Sequence, residues 1–83
     1  MRTMTLTFPE TVFSSIRWSP EEFIREMRIE AASQWYAQQR VSQERAADIA
    51  GVTRAEFIDS LAQRGISLMQ ADYDEIMDEA NRA

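Results

Sequence analysis

Residues 42–66 constrain the fold most, because they predict two short capped helices joined by a glycine turn. Ser42 is placed to cap the first helix, and Thr53 with Glu56 has the spacing of a capping box that begins the second. Gly51 lies between the helices and can take the left-handed conformation that a sharp turn needs. Such a pair forms a helix-turn-helix, whose second helix can enter the major groove of DNA. In other small helical domains, the same pair of helices only covers a core. The spacing leaves both interpretations open.

This helix pair is predicted to be apolar on one side and electrically balanced on the other. The residues expected in the core are small on the first helix and large on the second: Ala46, Ala47, Ala50, Phe57, Ile58 and Leu61. The outward charges of the second helix cancel, which weakens the DNA interpretation because phosphate binding relies on Arg and Lys. If the pair binds DNA, its predicted contacts are Gln43, Arg45, Thr53, Arg54 and Arg64.

Residues 19–40 predict the longest helix, with Ser19 as its N-cap and Glu22 completing a capping box. Its apolar residues recur with the 3.6-residue period of one buried face: Phe23, Ile24, Met27, Ala31 and Trp35. Glu26 and Arg28 are expected to form an ordinary surface pair.

Residues 2–8 predict a β-strand, because apolar and Thr side chains alternate with a period of two. The chain offers no second strand, so this one is expected to pair with the same strand of a second copy in a homodimer. A short helix is predicted over residues 9–16. Strand, short helix and long helix are also the order of a ribbon-helix-helix protein, in which paired strands enter the major groove of operator DNA. The predicted fold class is therefore mainly α, with one intermolecular strand and about four helices.

The two faces of the predicted strand have different expected roles. The inward residues would seal the dimer: Met4, Leu6 and Phe8. The outward residues, with one Arg beside them, would contact DNA: Arg2, Thr3, Thr5 and Thr7. Two alternatives stay open. The strand could serve dimerisation alone, with a Thr-rich face that contacts no DNA, or it could add to the edge of a partner's sheet.

Composition excludes several classes of function. The 83 residues predict one small domain with a marginal core, of the kind that partners often complete. The chain has no Cys and no His, which excludes disulfides, the usual zinc sites and His-based catalytic triads. Carboxylate pairs in so small a chain are expected to be exposed, so we predict no enzyme activity, no cofactor and no metal site. The sequence has neither a leader pattern nor a membrane span, which predicts a cytoplasmic protein.

The acidity of the chain is concentrated near its C-terminus. Residues 1–66 carry eight Arg and nine acidic residues, whereas residues 67–83 carry one Arg and five acidic residues. We therefore divide the chain into a body, residues 1–66, and an acidic arm, residues 67–83. The arm has a thin apolar stripe on an acidic helix, which can insert into a groove of a partner protein or pack on its own body.

Several segments, taken in order, resemble a known family: TLTFPETVF, SPEEFIREMRIEAASQWY, VSQERAADIAGVTRAEFIDSLAQRGIS and the acidic arm. They are similar to uncharacterised protein family 0175, small prokaryotic proteins often encoded beside PIN-domain ribonuclease-like toxins and regarded as antitoxins. The resemblance implies a type II antitoxin that binds a PIN-domain toxin and represses its own operon by DNA binding. The toxin contacts would then lie in the arm: Asp72, Tyr73, Asp74, Glu75, Ile76, Met77, Asp78 and Arg82. The alternatives are a stand-alone helix-turn-helix regulator and a small helical dimerisation or adaptor module.

Overall fold

The computed structural model describes residues 2–68, which are mainly helical as predicted. It contains four helices in this range: α1 (Glu10–Ile16), α2 (Pro20–Ala37), α3 (Gln43–Ala50) and α4 (Arg54–Gln63). Across the described range there is no β-strand, and residues 2–9 have no regular secondary structure. A strand needs a neighbour for its backbone N–H and C=O groups, and a single copy of this part of the chain provides none. Pairing between two copies therefore stays a prediction.

The predicted N-caps Ser19 and Ser42 are confirmed, and each is held by a local hydrogen bond. The hydroxyl of Ser19 accepts from the N–H of Glu22 at 3.2 Å. The hydroxyl of Ser42 accepts from the N–H of Arg45 at 3.1 Å. These side chains satisfy N–H groups that have no partner inside the helix, so each cap stabilises its helix by about 1 kcal/mol.

The long helix α2 ends at Ala37, three residues before the predicted end at Arg40. Gln39 lies in the left-handed region with φ 60°, and the N–H of Arg40 donates back to the carbonyl of Trp35 at 2.9 Å. This closure satisfies a carbonyl of the last turn and stops the helix. The sequence gives no warning of the stop, because Gln39 is not the glycine that usually marks one.

The core lies where α2, α3 and α4 meet. Its buried apolar residues are Ala32, Tyr36, Ala46, Ala47, Ala50, Phe57 and Leu61. The predicted core residues of α3 are therefore buried, and those of α4 are buried except for Ile58, which is half-buried. Four of the seven are Ala, so the helices can approach closely, but the core buries few large side chains. A core of this kind gives a single chain only marginal stability.

The predicted buried face of α2 is wrong for two of its five residues, because Phe23, Met27 and Ala31 are half-buried but Ile24 and Trp35 are exposed. Ile24 is 49% exposed and Trp35 is 40% exposed, whereas the buried residues of this helix are Ala32, Ser33 and Tyr36. Helix α2 has apolar residues on more than one face, and α3 packs on the face that carries the small residues. Tyr36 fills the remaining space with its ring edge-on to Phe57 at 5.9 Å.

Candidate nucleic-acid interface

The N-terminal segment, residues 2–8, presents its predicted DNA-contacting residues to solvent. Arg2, Thr3, Thr5 and Thr7 are all exposed. The predicted dimer residues between them are also exposed, with Met4 at 80% and Leu6 at 59%. Because both faces of the segment are open, a partner strand could pair with it without displacing any part of residues 2–68.

Phe8 fixes the end of this segment to the helices. Its ring packs edge-on against Phe23 of α2 at a centroid distance of 4.9 Å. Phe13 of α1 packs against Phe23 at 5.3 Å, so three rings form one cluster. Each such pair contributes about 0.5–1.5 kcal/mol beyond the area it buries. Helix α1 buries no residue completely, so this cluster is the main attachment of the N-terminal region. Phe8 thus contacts its own chain, in addition to any role at a dimer contact.

The turn between α3 and α4 and the start of α4 are as the sequence predicts. Gly51 takes the left-handed conformation with φ 73°, and its N–H donates to the carbonyl of Ala47 at 2.9 Å. The hydroxyl of Thr53 then accepts from the N–H of Glu56 at 3.1 Å. The Glu56 carboxylate accepts from the N–H of Thr53 at 3.1 Å, which completes the capping box.

Arg28 holds the carboxyl end of α3 against α2. Its Nε donates to the carbonyl of Ile49 at 2.8 Å, and its Nη2 approaches the carbonyl of Asp48 at 3.4 Å. A cation placed on the last carbonyls of a helix is favourable because these groups carry the negative end of the helix dipole. The predicted surface pair of Arg28 with Glu26 is therefore wrong. Residues two apart on a helix do not face each other, and Arg28 turns towards α3 instead.

Arg64 ties the end of α4 to α2. Its guanidinium forms an ion pair with Glu30 at 2.7 Å and lies 4.0 Å from Glu26. It also donates to the carbonyl of Ser60 at 3.2 Å. The side chain is only 20% exposed, so this predicted phosphate contact is engaged inside the fold. Glu26, Glu30 and Arg28 all serve the packing of α2, and no local sequence pattern assigns them these partners.

The other predicted contacts of the α3–α4 pair differ in accessibility. Gln43 is buried and its side-chain oxygen accepts a hydrogen bond from Arg54, which is itself half-buried. Within residues 2–68, Gln43 Nε2 and Ser33 Oγ are buried without a hydrogen-bond partner. Arg45 and Thr53 are exposed, and Arg45 forms an exposed ion pair with Asp48 at 3.7 Å. Of the five residues, these two are therefore the most accessible to a phosphate.

The capping box also changes the acidity of Glu56. The hydrogen bond from the side chain of Thr53, followed by that from its backbone N–H, lowers the pKa of this carboxyl below its ordinary value of 4.5. Both donors favour the ionised form because a carboxylate accepts hydrogen bonds more strongly than a carboxylic acid. The Glu56 carboxylate therefore stays ionised at a lower pH than an ordinary glutamate does.

The remaining predictions concern metals, membranes and the acidic arm. Among residues 2–68, no cluster of three acidic side chains is arranged to hold a metal ion. No helix in the same range is both long and apolar enough to cross a membrane. The predicted toxin contacts, Asp72 to Arg82, lie outside the described residues.

Comparison with known proteins identifies the family. The whole chain, residues 1–83, matches the Uncharacterised protein family (UPF0175). The protein therefore belongs to this family, as the sequence resemblance predicted. No curated protein and no solved structure matched the chain.

Proposed function

We propose that this protein is the antitoxin of a type II toxin–antitoxin pair. A homodimer would bind operator DNA through its body and repress its own operon. The acidic arm would bind a PIN-domain ribonuclease toxin. The observation that carries the DNA part is the accessibility of the N-terminal segment, which is exposed over residues 2–7 and anchored at Phe8.

The exposed N-terminal segment favours a paired ribbon as the DNA reader. Its Thr side chains alternate with Met4 and Leu6, so pairing with a second copy would put three Thr from each chain on one face. Hydroxyl groups can both donate to and accept from base edges. Arg2 at the start of the segment would contact a phosphate.

The α3–α4 pair is the alternative reader, as a helix-turn-helix. Its accessible contacts are Thr53 at the start of α4 and Arg45 on α3. However, the exposed residues of α4 include Glu56 and Asp59 and no Arg, and Arg64 is engaged by Glu30. This charge distribution is unfavourable beside phosphates, so we assign the ribbon the larger part in DNA binding.

The toxin-binding part of the proposal depends on the chemistry of the arm. Its acidic side chains would cover the basic rim that a ribonuclease needs for RNA. Tyr73, Ile76 and Met77 have the spacing of an apolar stripe on one helix face, which suits insertion into a groove of the toxin.

An electrophoretic shift assay on the protein's own upstream DNA tests the DNA part. Binding should be specific, and it should weaken steeply between about 50 and 200 mM salt because counterions are released. Thr5→Ala should abolish the specific shift. Thr11→Ala, which removes an exposed Thr from α1, is the matched control and should bind normally.

Other outcomes of the assay have distinct meanings. Loss of the shift in Arg45→Ala but not in Thr5→Ala would assign DNA reading to the α3–α4 pair. Arg40→Ala removes the same charge from the exposed loop before α3 and controls for net charge. If the wild-type protein gives no shift at either salt concentration, the DNA part is wrong.

Toxin neutralisation tests the arm. The protein truncated after Met69 should fail to protect cells that express the PIN-domain protein of the adjoining gene. Thr5→Ala in the full chain should still protect, which separates toxin binding from DNA binding. Full protection by the truncated protein would contradict the proposed role of the arm.

A further inference from the structure

The three Phe rings of the N-terminal region form a cluster that joins three separate parts of the chain. Phe8 ends the exposed segment, Phe13 lies in α1, and Phe23 lies near the start of α2. The ring centroids are 4.9 Å apart for Phe8 and Phe23, 5.3 Å for Phe13 and Phe23, and 6.5 Å for Phe8 and Phe13. All three pairs are edge-on, which is a preferred geometry for aromatic rings. The direction of the Phe8 side chain is therefore constrained by two partners.

The backbone that follows Phe8 is constrained as well. Pro9 is extended, with φ −61° and ψ 147°, and a residue before proline is itself held away from the helical region. The Pro9 carbonyl accepts from the N–H of Val12 at 3.1 Å, which attaches the segment to the first turn of α1. Residues 2–7 therefore leave the helices from a side chain and a backbone that are both held in place.

The exposure of the apolar residues in this segment falls towards Phe8. Met4 is 80% exposed and Leu6 is 59% exposed, whereas Phe8 is half-buried. In a strand, residues two apart point to the same side. Phe8 points at α1 and α2, so pairing of the segment into a ribbon would leave Met4 and Leu6 on the side of these helices. The Thr residues would then lie on the opposite, open side.

We propose that Phe13 and Phe23 are positioning residues for the DNA reader. Through Phe8 they fix which face of the paired ribbon is turned away from the helices and towards DNA. The inference rests on the proposed function, and it adds that the helical body selects the Thr-bearing face. Pairing of the strands alone leaves either face available, whereas turning the ribbon over would pull Phe8 from both of its ring partners.

Insertions beside Phe8 test the selection of the face. One Thr inserted between Thr7 and Phe8 leaves the ring cluster intact and turns over the two faces of residues 2–7. This variant should lose about tenfold or more of its preference for the upstream duplex over a shuffled duplex of the same composition, while salt-sensitive non-specific binding remains. Two Thr inserted at the same place return the faces and should restore most of the preference, so this variant is the matched control.

Substitution of Phe23 tests the ring cluster itself. Phe23 is half-buried and lies outside the core formed by α2, α3 and α4, so Phe23→Ala should keep the helical circular dichroism of the wild type. Its preference for the upstream duplex should fall as it does with one inserted Thr. Phe23→Leu keeps an apolar contact for Phe8 and should recover most of the preference. Trp35→Ala removes an exposed aromatic side chain from the other end of α2 and should bind like the wild type.

Thiol labelling tests the orientation without DNA. The chain has no Cys, so Leu6→Cys and Thr5→Cys each carry one thiol. Leu6→Cys should react with a maleimide more slowly than Thr5→Cys, and one Thr inserted before Phe8 should reverse this order.

The outcomes separate this inference from the proposed function. Equal labelling of the two thiols, or an equal DNA preference with one and two inserted residues, would overturn the inference. If the wild type still binds its upstream DNA specifically in that case, the proposed function stands. The expected labelling without any DNA shift would instead overturn DNA reading by the ribbon.

Discussion

Gly51 shows how a single residue can be required for two independent reasons. Its φ of 73° is in the region that favours glycine. A Cβ added there would also lie 2.8 Å from the Arg28 guanidinium, which is held by the carbonyl of Ile49. Gly65, with φ 70°, has the same backbone conformation, but a Cβ there would meet nothing within 4 Å. Comparing the two glycines therefore distinguishes the effect of backbone strain, which both share, from that of crowding, which only Gly51 has.

We expect Gly51→Ala to lower the free energy of unfolding more than Gly65→Ala does. Both changes carry the left-handed strain of about 1–2 kcal/mol. Only Gly51→Ala also displaces Arg28 from its carbonyl partners, which adds about 1 kcal/mol. Urea denaturation of both variants measures the difference.

The Arg28→Ala background provides the control for this comparison. There, the two Ala substitutions should have equal cost, because the guanidinium that crowds Gly51 is gone. If Gly51→Ala and Gly65→Ala cost the same in the wild-type background, Arg28 does not constrain the turn.

At the scale of the element, α4 depends on its first turn. The Thr53 side chain and the Glu56 carboxylate satisfy one backbone N–H each, and the helix is only ten residues long. Short helices are marginal in water, so such caps contribute much of their local stability.

The capping box should make stability dependent on pH. The pKa of Glu56 is lowered in the folded state by Thr53, so the folded protein favours the ionised carboxylate. Its contribution is present above the ordinary pKa of 4.5 and is lost as the pH falls through the lower, folded-state value. Glu56→Gln should therefore destabilise the protein at neutral pH and show a shallower loss of stability on acidification.

Urea denaturation at several pH values from neutral to acidic checks this dependence. Glu44→Gln is a suitable control, because Glu44 is an exposed acid in the first turn of α3, where no capping box forms with Ser42. If the free energy of unfolding of wild type and Glu56→Gln falls equally with decreasing pH, the capping box does not lower the pKa of Glu56.

At the scale of the whole molecule, Arg64 joins the last described helix to the longest one. It is only partly exposed and pairs with Glu30, which is thirty-four residues away in the sequence. Arg28 makes a similar long-range contact from α2 to the end of α3. Together they align three helices whose shared core contains few large side chains.

We expect Arg64→Ala to act on stability rather than directly on DNA. It should lower the free energy of unfolding by about 1–2 kcal/mol, as typical for a lost hydrogen-bonded charge. A double-mutant cycle with Glu30→Gln should give a coupling of about 0.5–1 kcal/mol, because Glu30 is partly exposed. Arg45→Ala, at an exposed pair, is the control and should leave stability nearly unchanged.

A role of Arg64 in stability can be distinguished from a direct role in DNA binding. If Arg64→Ala retains full stability but weakens DNA binding to the same extent at all sequences, Arg64 leaves Glu30 and contacts phosphate.

Features that depend only on neighbouring residues could be predicted from the sequence. The caps at Ser19, Ser42 and Thr53, the turn at Gly51 and the Ala-rich face of α3 all arise within a few residues of chain. The exposure of Arg2 and the Thr residues follows equally simply from a segment that has no partner in residues 2–68. Such features could be predicted because hydrogen bonds and steric limits within one turn do not require the rest of the fold.

The face of α2 that enters the core and the partners of the charged side chains depend on the packing of the whole fold. Periodicity assigned Ile24 and Trp35 to the core, but α3 packs where Ala32 and Ser33 allow close approach. Arg28, Arg64 and Gln43 have partners distant in sequence. As a result, three predicted DNA contacts, Gln43, Arg54 and Arg64, take part in packing instead. These outcomes depend on how three helices fit together, a competition between faces of similar hydrophobicity that no local pattern resolves.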